Sequence, residues 1–290
     1  METLHQILSL HFLLRNSVYT SVLIGLACPL VGVFLVLRRL VFMGVALPQI
    51  SSTGVALALC LPMWLGLQVT PQSEHALAFA GSTIFSVAAI LILAFLERRG
   101  RGLAEGRLGM AYVVAMAISI LLLSKNRYAE IGWLDLLKGE IITISDFDLA
   151  LTAAILAVVL VIFGLFRKEL LLVSYDRALA ITLGRNVILW DALLYLLIGL
   201  MVSMAVLSVG PLIAFGFLLI PALTAHMFAY NMRQLTIFAC VLGGIAAFAG
   251  FWMAYQWDFP VGPTDVALLG LIYGIAFIVR KVVSMTEAII

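Results

Sequence analysis

Ser17–Leu37 reads SVYTSVLIGLACPLVGVFLVL and is followed at once by Arg38 and Arg39. An uncharged apolar run of this length matches the ~20 residues that a helix needs to cross the ~30 Å hydrocarbon core of a bilayer. The pattern repeats along the chain. Further apolar stretches occupy 44–66, 77–96, 108–124, 147–166, 188–209, 211–230, 234–254 and 264–281, parted by short charged joints. Hydrophobic residues make up 64% of the 290 residues and charged ones 11%, with a mean hydropathy of +1.18. No soluble domain can hide that much apolar surface. In lipid, each span must satisfy its own backbone polar groups, so the spans are expected to be helices. The predicted fold is therefore an all-α polytopic membrane protein of about nine transmembrane helices. The junction at Gly210-Pro211 leaves a range of eight to ten, because a single bend or re-entrant piece could replace a turn there. One helical membrane domain is expected over 1–290, with no soluble domain between the spans.

The joints also orient the chain. One set holds Arg38, Arg39, Arg98, Arg99, Arg101, Arg107, Arg167, Lys168, Arg177, Arg185, Arg233, Arg280 and Lys281; the other holds Arg15, Lys125, Arg127 and Lys138. Nine spans place these sets on opposite sides without conflict, and the richer side is expected in the cytoplasm. The N-terminus then lies outside and the C-terminus inside. Residues 1–16 read as a short interfacial segment, with no features of a cleaved leader. Glu130–Thr143 (EIGWLDLLKGEIIT) reads as an interfacial helix or re-entrant turn, with Trp133 at headgroup level. A net charge of +2 without a polybasic patch excludes a nucleic-acid partner. Cys28, Cys60 and Cys240 fall in different spans and read as packing residues.

Chemistry of the chain's own is hard to find. Asp148, Asp191 and Asp265 are placed at span ends and His226 near one, so the spans lack the acidic or imidazole relay expected of a proton-driven carrier. Zinc-protease, serine-hydrolase and Walker signatures are absent, so any energy for uphill transport must come from a partner. Met201, Met204, Met227 and Met232 read as gap fillers, Glu74-His75 as an outer loop tip, and Gly270-x-x-x-Gly274 as a close-packing face. The joint 167–187 offers a docking point: Asp176 can cap a short helix over Ala178–Leu183 that Gly184 can end. An ordinary amphipathic connector would have the same pattern.

Four landmarks carry a resemblance. These are Gly32–Gly44 (GVFLVLRRLVFMG), Lys168–Asp176 (KELLLVSYD) continuing through Ala180 to Gly184, Val209–Ala225 (VGPLIAFGFLLIPALTA) and Phe259–Thr264 (FPVGPT). In this order they resemble the membrane permeases of metal-type ABC importers, which take up zinc, manganese and iron, and the likeness runs from about residue 17 to 281. The resemblance implies a type II ABC importer-like fold in the bacterial inner membrane. It implies two permease copies forming one pathway, a cytoplasmic ABC ATPase docked on each coupling segment, and an outer metal-binding protein that delivers the ion. The permease itself needs no cofactor and has no catalytic residue. The coupling residues implied are Ser174, Tyr175, Asp176, Ala180 and Gly184.

The resemblance breaks at one place. In the family the second span usually opens Met-Gly-Asp-Ala-x-x-His, with both ligands on one helical face. Here Met43–Gly54 reads MGVALPQISSTG, so Val45 and Gln49 stand at the ligand positions and the metal ligands stay unknown. Three readings compete. In the first, Gln49, Ser51, Ser52 and Thr53 act as neutral oxygen donors along a pathway that Val45 also lines; in the second, the cargo is a chelate or another ion; in the third, a second, non-identical permease supplies the ligands. The readings outside this class are a stand-alone channel or facilitator and a membrane scaffold.

Overall fold

The structure is a computed structural model that describes residues 14–65, 71–98, 104–124 and 144–287. All regular structure among them is helical: α1 Arg15–Leu37, α2 Val41–Leu65, α3 Pro71–Arg98, α4 Ala104–Leu123, α5 Asp146–Leu165, α6 Arg167–Tyr175, α7 Arg177–Thr182, α8 Val187–His226, α9 Met232–Trp257 and α10 Val261–Glu287. Six of these, α1, α2, α5, α8, α9 and α10, are long and apolar enough to cross a membrane. Two more, α3 and α4, carry shorter apolar cores at Ala76–Ile92 and Gly106–Leu122. The all-α membrane architecture is therefore as expected. The segments 1–13 and 130–143, with Trp133, lie outside the described residues. Because α3 begins at Pro71, Glu74 and His75 belong to its first turn and not to a loop tip.

α1 ends by a specific mechanism. Arg39 adopts a left-handed backbone (φ 58), its N–H donates to Val36 O at 3.1 Å, and the Leu40 N–H donates to Leu35 O at 2.9 Å. That is the Schellman pair of bonds, which satisfies the last carbonyls of a helix. The chain can then enter α2 after three residues.

The two stretches expected at 188–209 and 211–230 form a single helical element, α8, broken only at Gly210 (φ 84, ψ 165). That backbone region is essentially open to glycine alone. A straight helix of 40 residues would run ~60 Å, twice the hydrocarbon core. The contacts show that it does not run straight. Asp191 in the first leg pairs with Arg38 at the end of α1, while Ala222 and Ala225 in the second leg pack with Val33, Val36 and Leu37 of the same turns. The element therefore folds back at Gly210. Pro211 opens the second leg where no N–H donor is required. Ser208, beside the apex, lies 3.2 Å from Thr152, which is ~9 Å along α5 from Asp146.

α1 and α8 make the centre of the core, with Ile24, Val31, Leu35, Leu194, Ile198, Met201 and Phe217 buried together. Close approach depends on missing side chains. A Cβ on Gly32 would fall on the Leu218 carbonyl, and Gly25 and Gly243 meet backbone to backbone between α1 and α9. Hydroxyls tie other helices. Ser51 bonds Ser82, Ser82 reaches the Ser203 carbonyl at 3.4 Å, and Ser203 bonds Ser86 at 3.2 Å, linking α2, α3 and α8. Small residues and interhelical hydroxyl bonds are the expected means of packing where lipid removes any hydrophobic drive between helices. By contrast, a Cβ at Gly270 or Gly274 would meet nothing within 4 Å, so that small-residue face packs against no helix among the described residues.

Replacing Gly32 by leucine is expected to separate α1 from the second leg of α8. Forced overpacking costs ~1–3 kcal/mol, so thermal unfolding in detergent should begin several degrees below that of the parent. An unchanged melting curve would refute the contact.

Candidate functional site

The described arginines of the richer set collect at one end of the bundle, and there the chain leaves the membrane helices for α6 and α7. α6 buries Leu170 and Val173. Asp176 separates the two helices in extended conformation and caps α7, its carboxylate accepting the Leu179 N–H at 2.9 Å. α7 ends like α1. Gly184 is left-handed (φ 70), its N–H donates to Ile181 O at 2.9 Å, and the Arg185 N–H donates to Ala180 O at 3.0 Å. The expected cap and stop thus fall on the expected residues, with the helix one residue earlier, at Arg177–Thr182.

Of the residues that the resemblance implies for coupling, Ala180 is fully buried with Val173 and Val187 and pins α7 to the bundle. Ser174 accepts from Arg38 Nε at 3.1 Å. Tyr175 is 79% exposed, and Leu179, Ile181 and Leu183 are about half or more exposed. Around one buried alanine, α7 thus displays Leu179 and Ile181, and Tyr175 before it and Leu183 just after it add two more large side chains outside the membrane helices. A patch of this kind marks an interaction site more often than a bare surface.

A cluster of charges underlies it. The Asp191 carboxylate, 6% exposed, holds Arg38 Nη1 on Oδ1 at 2.8 Å and Arg177 Nη2 on Oδ2 at 3.1 Å. Arg38 also lies over the Tyr195 ring, 5.5 Å from its centroid. The span-end position expected for Asp191 holds, and its partners have no signal in the sequence. Arg38 lies 153 positions away, and only the packing of the first leg of α8 against α1 brings the two together.

The candidate pathway residues lie on α2, away from this cluster. Val45 is half-buried. Gln49, Ser51, Ser52 and Thr53 are buried within the protomer. Gln49 Nε2 reaches Ser119 Oγ at 3.5 Å, Ser52 bonds the Gln49 carbonyl at 2.8 Å, and Thr53 donates to the Ala115 carbonyl at 2.8 Å. The Gln49 and Thr53 bonds join α2 to α4, while the Ser52 bond stays within α2. Among the described residues no group of three or more His, Cys, Asp or Glu side chains could hold a metal.

Asp265 lies one turn inside the start of α10, at the span end expected for it, but its side chain is completely buried. Its carboxylate rests against Gly250, where a Cβ would strike it. Among the described residues neither oxygen has a hydrogen-bond partner. The spans are thus not free of ionisable groups. Met201 and Met204 are buried core residues, and His226 is an exposed residue in the last turn of α8.

Three of the four landmarks meet in space. Gly32 and Gly44 abut Leu218 and Leu219, and Arg38 holds Ser174. Comparison with known proteins agrees with this arrangement. Residues 10–280 match the family model described as the ABC 3 transport family, and the chain belongs to that family. It is 27% identical over 93% of its length, and over 91% of the relative, to the manganese import system permease protein ScaB of Streptococcus gordonii. It is 28% identical over 89% of its length, and 86% of the relative, to a Haemophilus influenzae protein described as a probable iron transport system membrane protein. Among solved structures, a chain of PsaBC from Streptococcus pneumoniae in complex with Fab superposes with a TM-score of 0.81 at 26% identity, covering 95% of this chain and 94% of that one. The resemblance to metal-type ABC permeases is borne out.

Asp176→Ala and Gly184→Val are each expected to loosen α7 alone. Losing the cap costs ~1 kcal/mol, and a left-handed valine costs ~1–2 kcal/mol. Hydrogen exchange across 177–184 should quicken roughly fivefold or more while the melting temperature holds. Unchanged protection in both variants would refute the local account.

Proposed function

We propose that this chain is the permease subunit of an ATP-driven importer for manganese or a similar divalent transition metal. Two permease copies form the pathway, a cytoplasmic ATPase binds each α6–α7 segment, and an extracytoplasmic binding protein presents the ion. The chain acts as a single permease domain and contributes no catalysis. The observation that carries the reading is the exposed apolar face of α7 at the arginine-rich end, because a membrane carrier that works alone has no use for a capped, outward-facing docking helix. The names of the relatives support the cargo. Nine crossings of a bacterial plasma membrane follow if both legs of α8 count as crossings, with the arginine-rich end in the cytoplasm by the positive-inside rule.

The test is radiolabelled manganese uptake in a bacterium lacking its own system, with the chain expressed alone or with its ATPase and binding protein. Uptake is expected only with all components. Ile181→Asp with Leu183→Asp should abolish copurification of the ATPase and uptake together. Uptake by the chain alone would establish a facilitator instead.

A second reading of the cargo is favoured by Val45 and Gln49, which offer neither the carboxylate nor the imidazole that suits a borderline divalent ion. In that reading the ion passes as a chelate, or a non-identical permease copy holds it. Val45→Asp with Gln49→His places two ligands on one face of α2. In detergent, without the delivery protein, calorimetry should find tighter manganese or zinc binding than in the parent. Equal affinity would remove these positions from the pathway.

A further inference from the structure

Asp191 is shared between two arginines that belong to different parts of the machine. Arg38 is 11% exposed, bonds Ser174 and stacks on Tyr195, so it is fixed in the bundle. Arg177 is 55% exposed and sits on the first turn of α7, one residue after the capping Asp176. Each arginine takes its own carboxylate oxygen. A displacement of α7 therefore pulls on Oδ2, and the same carboxylate holds the end of α1 through Oδ1.

The connection continues inward. Six residues up α1 from Arg38, Gly32 is seated against Leu218 and Ala222 of the second leg of α8, so a shift of α1 cannot occur without one in that leg. Among the described residues, α7 is attached to the bundle by a small apolar cluster of Val173, Ala180 and Val187 with Leu172 and Trp190 packed against it, and by Arg177. Of these, the ion pair is directional and, through the shared carboxylate, continues to α1. A buried carboxylate between two guanidiniums also resists separation, since leaving a buried charge unpaired is strongly destabilising.

We propose that Asp191 is the joint through which movement of the docked ATPase reaches the membrane helices, with Arg177 as the positioning residue that ties the docking helix to it. This rests on the reading of α7 as an ATPase-docking helix. Coupling needs a contiguous element that both ends can bias, and the path Arg177–Asp191–Arg38–Gly32–Leu218 is one.

The test uses Arg177→Gln, which cuts the tie at its exposed end and leaves the buried Arg38–Asp191 pair intact. The permease, its ATPase and its binding protein are assembled in proteoliposomes, and manganese transported is measured per ATP hydrolysed. The variant should melt like the parent, copurify with the ATPase through Leu179, Ile181 and Leu183, and hydrolyse ATP, while manganese moved per ATP falls roughly fivefold or more. Arg177→Lys, which keeps the charge, should recover most of the ratio. A parental ratio in Arg177→Gln would overturn the joint and leave docking untouched. Loss of ATPase copurification in Arg177→Gln would overturn it differently, making Arg177 a docking contact. If the parent itself fails to retain the ATPase, the docking reading falls and the joint falls with it.

Discussion

A backbone in hydrocarbon must satisfy its own polar groups, and from that constraint the rest of this structure follows. It makes the described elements helical and leaves little choice of secondary structure. It also removes the force that packs helices in water, since lipid is as apolar as leucine. What remains to specify the fold is shape and a few hydrogen bonds. Gly32 against Leu218, Gly25 against Gly243 and the serine chain from Ser51 to Ser86 are the means by which one arrangement of apolar rods is selected over others.

Those same rules decide how much was legible beforehand. Span positions could be read because hydropathy and chain length act locally. So could the ends of α7: Asp176 and Gly184 act on the neighbouring three or four residues, and sequence is enough to place them. The fold-back at Gly210 was half visible. Gly-Pro marks a break, but a bend and a reversal look alike until Asp191 and Ala225 are both found beside α1. The burial of Asp265 had no signal in the sequence, because only the close approach of Gly250 produces it. The partners of Asp191 were invisible: both precede it, Arg38 by 153 positions and Arg177 by 14, and no local rule links them.

The molecule divides its work between two regions. Gln49, Ser51 and Thr53 of α2 are engaged in bonds to neighbouring helices. The paired charges are gathered instead at the arginine-rich end, around α7 and Asp191. Membership of the ABC 3 transport family is compatible with that division.

Arg39 carries two demands at once. A left-handed residue at the end of a helix is ordinarily glycine, because a side chain there costs roughly 1–2 kcal/mol. Here that strained position is given to a cation, at a joint where positive charge orients the chain in the membrane. Backbone comfort and direction of insertion therefore compete for a single codon. A change to glycine would relax the folded protein while erasing part of the signal that told the nascent chain which way to face, so thermodynamic stability and biogenesis cannot both be optimised at this residue.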